Sequence, residues 1–318
     1  MNSTLTLGNL TFTSRLIQGP LAGYTCSAMR RLPWEFGGLA YTTTEMLSAH
    51  QMAFKQDRSP RYTHIAPDEG PVCFQISGNQ LPLLAKAAEY AQEYGATLID
   101  LNAGCPQPKI RKKGHGSALL TDTKQLTTLL KTIKQHCSCP VTLKIRIGDH
   151  DEAVLECAHK AGIDGLIVHG RTWKERYDIN ASWDRIAWFV EQADLPIIGN
   201  GDLNMPESIE NFFTHTQAAG AMVARASLGQ PWLFARYDAY RNNMTYSISP
   251  EKTWQCFMDH ITHLIALENN ETLAISQARG FLKYYFPHSD DSVRETFYKQ
   301  DSLEGIRNFQ EALTRSWR

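Results

Sequence analysis

The sequence predicts an α/β fold, a (β/α)8 TIM barrel followed by a C-terminal helical domain. Through the first three quarters of the chain, short apolar runs alternate strictly with amphipathic stretches, as parallel strands alternate with crossover helices. Eight apolar runs of this kind occur within roughly 240 residues, which is the size of one such barrel. Strand-like runs then stop near Pro231, and only helix-like segments follow.

Composition indicates a cytoplasmic globular protein. The 318 residues are 42% hydrophobic, which is enough for a large core. The 32 basic and 33 acidic residues nearly cancel, so a nucleic-acid partner would have to be bound by local patches of charge. Seven cysteines, an odd number without a disulfide-like spacing, are typical of the reducing cytosol. We find no signal peptide and no stretch long enough to span a bilayer, so we expect no membrane association.

The strands can be assigned in order along the chain. Leu5–Leu7 and Leu10–Phe12, joined by Gly8-Asn9, indicate a hairpin of a size to close the bottom of a barrel. The first barrel strand begins at Arg15 and ends in small residues at Pro20–Gly23, where a flat ligand can approach the backbone. The other seven strands are expected at Leu39–Thr43, Val72–Ile76, Leu98–Leu101, Val141–Ile147, Gly165–Val168, Ile197–Gly199 and Ala221–Ala224.

Amphipathic periodicity gives the helices and the domain division. The clearest barrel helices are predicted at Leu81–Tyr94, Thr123–His136, Glu152–Ala161, Trp183–Gln192 and Pro206–Thr214. Three further helices are predicted at Trp254–Leu267, Leu273–Tyr285 and Ser302–Leu313. We therefore expect a catalytic barrel domain over residues 1–239 and a helical domain over residues 240–318.

Polar or glycine-rich groups follow every predicted barrel strand. In this fold the functional groups lie at the C-terminal ends of the strands, so this pattern predicts one active site at one rim. The groups are Pro20-Leu21-Ala22-Gly23, Glu45, Gln75, Asn102 with Cys105, Lys144 with Arg146, His169-Gly170-Arg171, Asn200-Gly201-Asp202 and Ala224-Arg225.

Two of these groups indicate an anionic ligand. Lys144 and Arg146 are two apart on one strand and therefore face the same way, into the barrel mouth; the alternative is that both extend to water at the strand end. The loops after strands seven and eight are the usual phosphate site of this fold. There Gly201 frees backbone N–H groups and Arg225 supplies a planar cation, although Asn-Gly-Asp is also an ordinary turn signal.

Cys105 is the candidate for acid–base chemistry. It stands where a strand ends in Gly-Cys-Pro, three residues after Asn102, whose amide offers both donors and an acceptor. A basic run follows, which could hold a phosphodiester backbone or could be a solvated loop: Lys109, Arg111, Lys112 and Lys113. The alternative for Cys105 is a buried structural thiol. Cys137 and Cys139 are too isolated to complete a set of four ligands, so we expect no metal.

Together these residues resemble the tRNA-dihydrouridine synthases, particularly the bacterial B-type branch. The resemblance runs from about Leu10 into the helical tail, and the ordered set of motifs is more specific than any one of them. The motifs are Asp-Leu-Asn-Ala-Gly-Cys-Pro at 100–106, Gly-Ser-Ala-Leu-Leu at 116–120, Val-Thr-Leu-Lys-Ile-Arg at 141–146, Val-His-Gly-Arg-Thr at 168–172 and Gly-Asn-Gly-Asp at 199–202.

The resemblance implies an FMN enzyme that reduces specific uridines of tRNA to 5,6-dihydrouridine, with NADPH as the electron source. It implies that Cys105 is the general acid for C5 and that the reduced flavin gives hydride to C6. It also places Asn102 and Arg146 near the uracil and the helical tail on tRNA. The implied cofactor-binding residues are Pro20, Leu21 and Ala22 at the flavin ring, Gln75, Lys144 and His169 at its polar edge, and Asn200, Gly201, Asp202, Ala224 and Arg225 at the phosphate.

The chain departs from the family pattern at a few positions. Leu21 stands where the family usually has Met, Ala224 where it usually has Gly, and Gln18-Gly19 where small apolar residues are usual. Two other functions therefore stay open. One is an FMN barrel that reduces a free pyrimidine or a small enone, and the other is an RNA-binding barrel without flavin. For the favoured function we expect a monomer.

Overall fold

The computed structural model describes residues 4–54 and 60–316, and the chain begins with the predicted hairpin. Strands β1 (Leu5–Leu7) and β2 (Leu10–Phe12) pair antiparallel around Gly8, whose φ of 55° suits glycine. The apolar side chains of the hairpin pack with inward-facing strand residues in one buried cluster. The hairpin lies beside the first residues of two strands, so it closes the bottom of the barrel as predicted.

Eight parallel strands form a closed barrel, which confirms the predicted fold. Each strand pairs with its neighbour in chain order, and the pairing of the last barrel strand with the first closes the ring. A short extra strand, β5 (Leu47–Ser48), was not predicted and adds to the next strand near its carboxyl end. The barrel strands are β3 (Leu16–Gln18), β4 (Tyr41–Thr43), β6 (Val72–Ser77), β7 (Leu98–Ala103), β8 (Val141–Arg146), β9 (Gly165–His169), β10 (Ile197–Asn200) and β11 (Gly220–Val223).

Helices surround the barrel, and the five predicted barrel helices lie within two residues of their expected bounds. Local capping explains the sharp ends: Asp122 accepts from the N–H of Gln125 at 2.9 Å, and Ser182 accepts from that of Arg185 at 3.2 Å. The helices of this part are α1 (Ser27–Arg30), α2 (Ala49–Ala53), α3 (Pro60–Thr63), α4 (Leu81–Glu93), α5 (Pro108–Arg111), α6 (Thr123–Gln135), α7 (Asp151–Ala161), α8 (Trp183–Gln192), α9 (Pro206–Thr216) and α10 (Leu233–Arg241).

The remaining helices correct the sequence-based prediction in two places. The single helix predicted over Leu273–Tyr285 is wrong: it breaks at Gly280, which has low helix propensity. The helix Asp291–Tyr298 was not predicted. The described C-terminal helices are α11 (Pro250–Glu268), α12 (Glu271–Arg279), α13 (Leu282–Tyr285), α14 (Asp291–Tyr298) and α15 (Leu303–Ser316).

Two large apolar cores hold the molecule together. One lies between the barrel strands and the surrounding helices. The other joins the C-terminal helices to α1, and it includes Cys26, Met29 and Trp232.

The division at residues 239 and 240 stays a prediction, and α10 spans that position. Among the described residues, no helix is both long and apolar enough to cross a membrane.

Candidate active site at the carboxyl ends of the strands

One cleft at the carboxyl ends of the barrel strands brings together the residues predicted for catalysis, cofactor binding and substrate binding. Glu45 and Arg171, which also follow predicted strands, do not line it. The cleft is open to solvent and encloses a cavity of about 200 Å³. Met46 and Tyr177 also line it, and sequence reasoning missed both. The predicted residues in its walls are Pro20, Leu21, Ala22, Gln75, Asn102, Cys105, Lys144, Arg146, His169, Asn200, Gly201, Asp202, Ala224 and Arg225.

A buried chain of hydrogen bonds orients two amides of the cleft. Asp100 Oδ1 accepts from Thr142 Oγ1 at 2.7 Å, and its Oδ2 accepts from Gln75 Nε2 at 2.9 Å. Gln75 Oε1 in turn accepts from Asn102 Nδ2 at 2.8 Å. Because an ionised carboxylate only accepts, Asp100 fixes the orientation of the Gln75 amide and, through it, the orientation of the Asn102 amide. Burial raises the pKa of Asp100 to about 6, against the hydrogen bonds from Thr142 and Gln75.

The backbone on both sides of Cys105 is fixed. Asn102 Oδ1 accepts from the N–H of Cys105 at 3.0 Å, and the Cys105 carbonyl accepts from the N–H of Ser117 at 3.0 Å and from Ser117 Oγ at 3.1 Å. Gly116, at a φ of 59°, passes so close that a Cβ there would lie 2.6 Å from the Cys105 oxygen. The half-buried Cys105 is therefore held at the cleft, not inside the core.

Lys144 presents a cation to the cleft from the end of β8. Its Nζ donates to Asn200 Oδ1 at 2.9 Å, and Asn200 Nδ2 donates to the carbonyl of Met222 at 2.8 Å, which fixes the amide's orientation. Burial lowers the pKa of Lys144 to about 8, and Asp100 partly offsets this. An ammonium has three N–H donors, so Lys144 keeps donors for a ligand.

Arg146 lies in the mouth as the sequence predicted, with its side chain anchored. It is buried, and its Nη1 donates to the Thr172 carbonyl at 2.9 Å. Burial lowers the pKa of Arg146, while the charges of Tyr177, Cys105 and Glu175 raise it. Arg146 and Cys105 line the same cleft, so a fixed cation shares the cleft with the thiol.

His169 is kept neutral by its surroundings. Burial lowers its pKa far below the usual value, and the cations of Lys144, Arg146, Arg171 and Arg225 add to the effect. Arg171 Nη1 lies 3.4 Å from His169 Nε2, and because a guanidinium only donates, Nε2 accepts and the ring proton lies on Nδ1. His169 can therefore serve as a hydrogen-bonding group of the cleft but not as a cation.

Asp202 and its arginines form the end of the cleft after β10. The buried Arg171 donates to both carboxylate oxygens of Asp202, at 2.5 and 2.7 Å. Arg225 Nη2 lies 3.8 Å from the same carboxylate, and its guanidinium stacks 3.8 Å from the centre of the Tyr177 ring. Arg171 already binds the carboxylate of Asp202. An anion bound at this end would therefore meet the backbone N–H of Asp202 and not its side chain.

Glycines at this end leave the backbone open. Gly201 has a φ of 128°, and a Cβ there would lie 2.6 Å from Ala181 Cβ, so only glycine fits. The methyl group of Ala224 lies beside Gly19: a Cβ built on Gly19 would be 3.4 Å from it. Two of the three departures from the family pattern, at Gly19 and Ala224, therefore lie beside each other in space.

The rim beside Cys105 carries cations and an exposed aromatic ring. Lys109, Lys112 and Lys113 are exposed, whereas Arg111 donates to Ser117 Oγ at 2.7 Å and lies 3.5 Å from the centre of the Trp173 ring. Arg111 therefore supports the cysteine loop, and the three lysines are free to meet a polyanion. Within residues 4–54 and 60–316, no three His, Cys, Asp or Glu side chains converge as a metal site requires.

The sequence predicted the residues that line the cleft better than the residues that hydrogen-bond to them and hold them in place. Asp100, Gly116 and Ser117 stood inside recognised motifs, but nothing in the sequence says that they meet Gln75 or Cys105. The partners are 25 residues apart in one case and 12 in the other. Chemically, the cleft offers a proton donor beside a cation, two oriented amides and an anion-binding end.

The sequence is similar to known proteins over most of its length. Residues 17–316 match the dihydrouridine synthase family. The chain is 33% identical over 292 residues to tRNA-dihydrouridine synthase B of Shewanella oneidensis, covering 89% of this chain and 90% of the relative. It is 34% identical over 317 residues to tRNA-dihydrouridine synthase B of Vibrio vulnificus, covering 95% of this chain and 98% of the relative.

Solved structures with the same fold are more distant in sequence. Histamine dehydrogenase from Rhizobium sp. 4-9 has a TM-score of 0.59 at 13% identity and covers 82% of this chain and 50% of its own. An old yellow enzyme homologue from Zymomonas mobilis has a TM-score of 0.53 at 12% identity and covers 80% of this chain and 95% of its own. At such identities the likeness concerns the barrel fold alone.

Proposed function

Because the chain belongs to the dihydrouridine synthase family, we propose that it is a flavin-dependent tRNA-dihydrouridine synthase. In this reaction the C5–C6 double bond of specific uridines in tRNA is reduced to 5,6-dihydrouridine. The observation that carries the proposal is the cleft in which Cys105, the oriented Asn102 and the Lys144–Asn200 pair share one rim. We further propose FMN as the flavin, NADPH as its reductant, and a cytoplasmic monomer as the working form.

The residues of the cleft fit FMN. Lys144 and Gln75 supply donors for the acceptors along the pyrimidine edge of a flavin, and Pro20–Ala22 supply a wall without charge. Gly201, where a Cβ would collide, lets the backbone approach a phosphate, and Arg225 adds a cation beside it. FMN, when bound, supplies the hydride for C6 of the uracil.

The chain's own part in the chemistry is to hold the uracil and to deliver a proton. We assign Asn102 and Arg146 to the polar edge of the base and the Cys105 thiol to C5. A thiol is mostly protonated at neutral pH, so it can act as a general acid there. Once Sγ has given its proton to C5, the thiolate that remains shares the cleft with the cation of Arg146. That cation stabilises the thiolate until solvent reprotonates it.

Binding of tRNA is supported by local charge and not by the net charge. The exposed Lys109, Lys112 and Lys113 follow the cysteine loop directly, and cations at such a rim suit a phosphodiester backbone. We propose that the C-terminal helices grip another part of the same tRNA. The alternative substrates, a free pyrimidine or an enone, would leave this rim without a partner.

Mapping dihydrouridine in tRNA from a strain that lacks the gene tests the proposal. We expect dihydrouridine to vanish from one or a few positions and to return with the wild-type gene but not with Cys105→Ala. Unchanged dihydrouridine at every position would contradict the proposed function. Purified protein that is colourless and binds no FMN would instead favour the RNA-binding barrel without flavin.

A further inference from the structure

One wall of the cleft is shared with the C-terminal helices. Leu21 lines the cleft and also packs against the core of those helices. Tyr24, three residues on, places its ring edge-on to Phe281 at 5.2 Å and to Tyr284 at 6.0 Å between ring centres. The loop that we assign to the flavin ring is therefore attached to the region that we assign to tRNA.

Both peptide groups around Gly23 in this loop are bound by a buried ion pair. Its N–H donates to Glu45 Oε2 at 2.5 Å, and its carbonyl accepts from Arg61 Nη2 at 2.8 Å. The same Nη2 lies 3.0 Å from Glu45 Oε1. Gly23 has a φ of 83°, a conformation that other residues avoid. Glycine therefore permits this backbone conformation, and the contacts with Glu45 and Arg61 fix it.

The other end of the Arg61 guanidinium reaches the C-terminal helices. Its Nη1 donates to Gln277 Oε1 at 2.7 Å and lies 3.6 Å from Glu268 Oε1, which accepts from Gln277 Nε2 at 2.9 Å. Glu268 is the last residue of α11, where the helix dipole disfavours a negative charge. The cation of Arg61 offsets the unfavourable negative charge of Glu268. Arg61 also links α11 and α12 to the loop that lines the cleft.

Burial distinguishes this network from ordinary surface pairs. The side chains of Arg61, Glu45 and Glu268 are 13%, 6% and 10% exposed. The nearby pair Arg31–Asp68 has a shorter contact of 2.7 Å, but its side chains are 23% and 58% exposed. Water screens the surface pair and leaves it with little effect on structure, whereas the fork of Arg61 is fixed by four partners.

We propose that Arg61 is a positioning residue for uridine reduction, because it fixes the Pro20–Gly23 loop against the C-terminal helices. Through that loop it sets the position of the flavin ring relative to a tRNA held by the helices. The proposal rests on the proposed function but goes beyond it, since Arg61 does not line the cleft. A point charge cannot replace the planar fork, so Arg61→Lys keeps the charge and loses the simultaneous contacts.

The test compares wild type, Arg61→Ala, Arg61→Lys and the control Arg31→Ala, all loaded with FMN. Three quantities are measured: the visible spectrum of the bound flavin, amide hydrogen exchange in the segment 19–25, and the single-turnover rate of tRNA reduction per bound flavin. For Arg61→Lys and Arg61→Ala we expect an altered spectrum, faster exchange in the segment, and a rate at least about tenfold lower. Arg31→Ala should match wild type in all three.

The outcomes separate positioning from stability. A purely structural role would lower the melting temperature and the amount of loaded enzyme, but it would leave the rate per flavin and the exchange of the segment unchanged; that result overturns the proposal. Arg61→Lys decides the matter if Arg61→Ala does not fold. If wild type itself binds FMN but reduces no tRNA, the proposed function fails. The spectrum and the exchange data would still test whether Arg61 fixes the loop.

Discussion

The barrel mouth and the C-terminal helical region are built on different physical principles. At the mouth, Asp100, Gln75, Asn102 and Cys105 are joined by hydrogen bonds of about 3 Å, in which each donor and acceptor has a fixed direction. The helical region is held by rings packed at 5 to 6 Å around Trp254, a contact that has little directional demand. Changes at the mouth should therefore alter chemistry more than stability, and changes in the apolar core of the helices should alter stability more than chemistry.

The largest effect is expected at Cys105. Cys105→Ala removes the proton for C5 without touching the walls that hold the flavin, so tRNA reduction should fall about 10²- to 10⁴-fold at unchanged FMN affinity. Dihydrouridine formed per minute and FMN titration measure the two quantities. The control is Cys137→Ala, because Cys137 is a free thiol outside the cleft. Turnover of Cys105→Ala at the wild-type rate would refute the acid role.

The helical region should respond through stability. Trp254 is 1% exposed and packs on Phe257, Phe286 and Phe309, so Trp254→Ala should lower the free energy of unfolding by about 3–5 kcal/mol. The reduction rate per bound flavin should stay within about twofold of wild type at temperatures where the variant is folded. Trp254→Phe keeps most of the packing and should lose far less. A Trp254→Ala variant with wild-type stability but a slow chemical step would contradict this expectation.

Lys144 makes the properties of the barrel mouth depend on pH. Its pKa is lowered to about 8, so the ammonium loses its proton, and FMN affinity should fall, as the pH rises through 8. The free energy of unfolding of the flavin-free protein should instead rise between pH 8 and about pH 10.4. In that range the lysine of the unfolded chain is still charged, whereas buried Lys144 has become neutral, so the cost of burying its charge disappears.

A lysine variant isolates this effect. Lys144→Met should weaken FMN binding about 10- to 100-fold at pH 7 and abolish its pH dependence above 8. Lys160→Met is the control, because Lys160 is a surface residue paired with Glu156. Equal pH profiles for wild type and Lys144→Met would show that another group titrates.

The smallest effect is expected at Ala224. Its methyl group lies beside Gly19, so Ala224→Gly should change FMN affinity by less than about threefold. Gly19→Ala is the matched change, and it should be worse, because its Cβ would lie 2.8 Å from Met222 Cγ. Isothermal titration with FMN measures both. Much tighter binding by Ala224→Gly would show instead that the methyl group obstructs the phosphate.

The two regions also differ in what the sequence could predict. At the barrel, strict alternation and the positions of the strand ends are enough to place Asn102, Lys144 and Asn200 at one rim, because parallel strands end together. The partners that orient them, such as Arg171 for Asp202, depend on distant contacts that carry no local signal. Among the helices, periodicity found the long segments but not the break at Gly280, because apolar residues continue across it.

In the proposed reaction, a thiol at the barrel mouth protonates a uracil of tRNA that bound flavin reduces. Purified FMN-loaded protein, NADPH and tRNA from the deletion strain, with free uridine as the parallel substrate, provide the decisive assay. We expect dihydrouridine in the tRNA, at the positions lost in that strain, and none from free uridine. Flavin that NADPH reduces but that leaves every tRNA uridine intact, or equal reduction of free uridine, would contradict it.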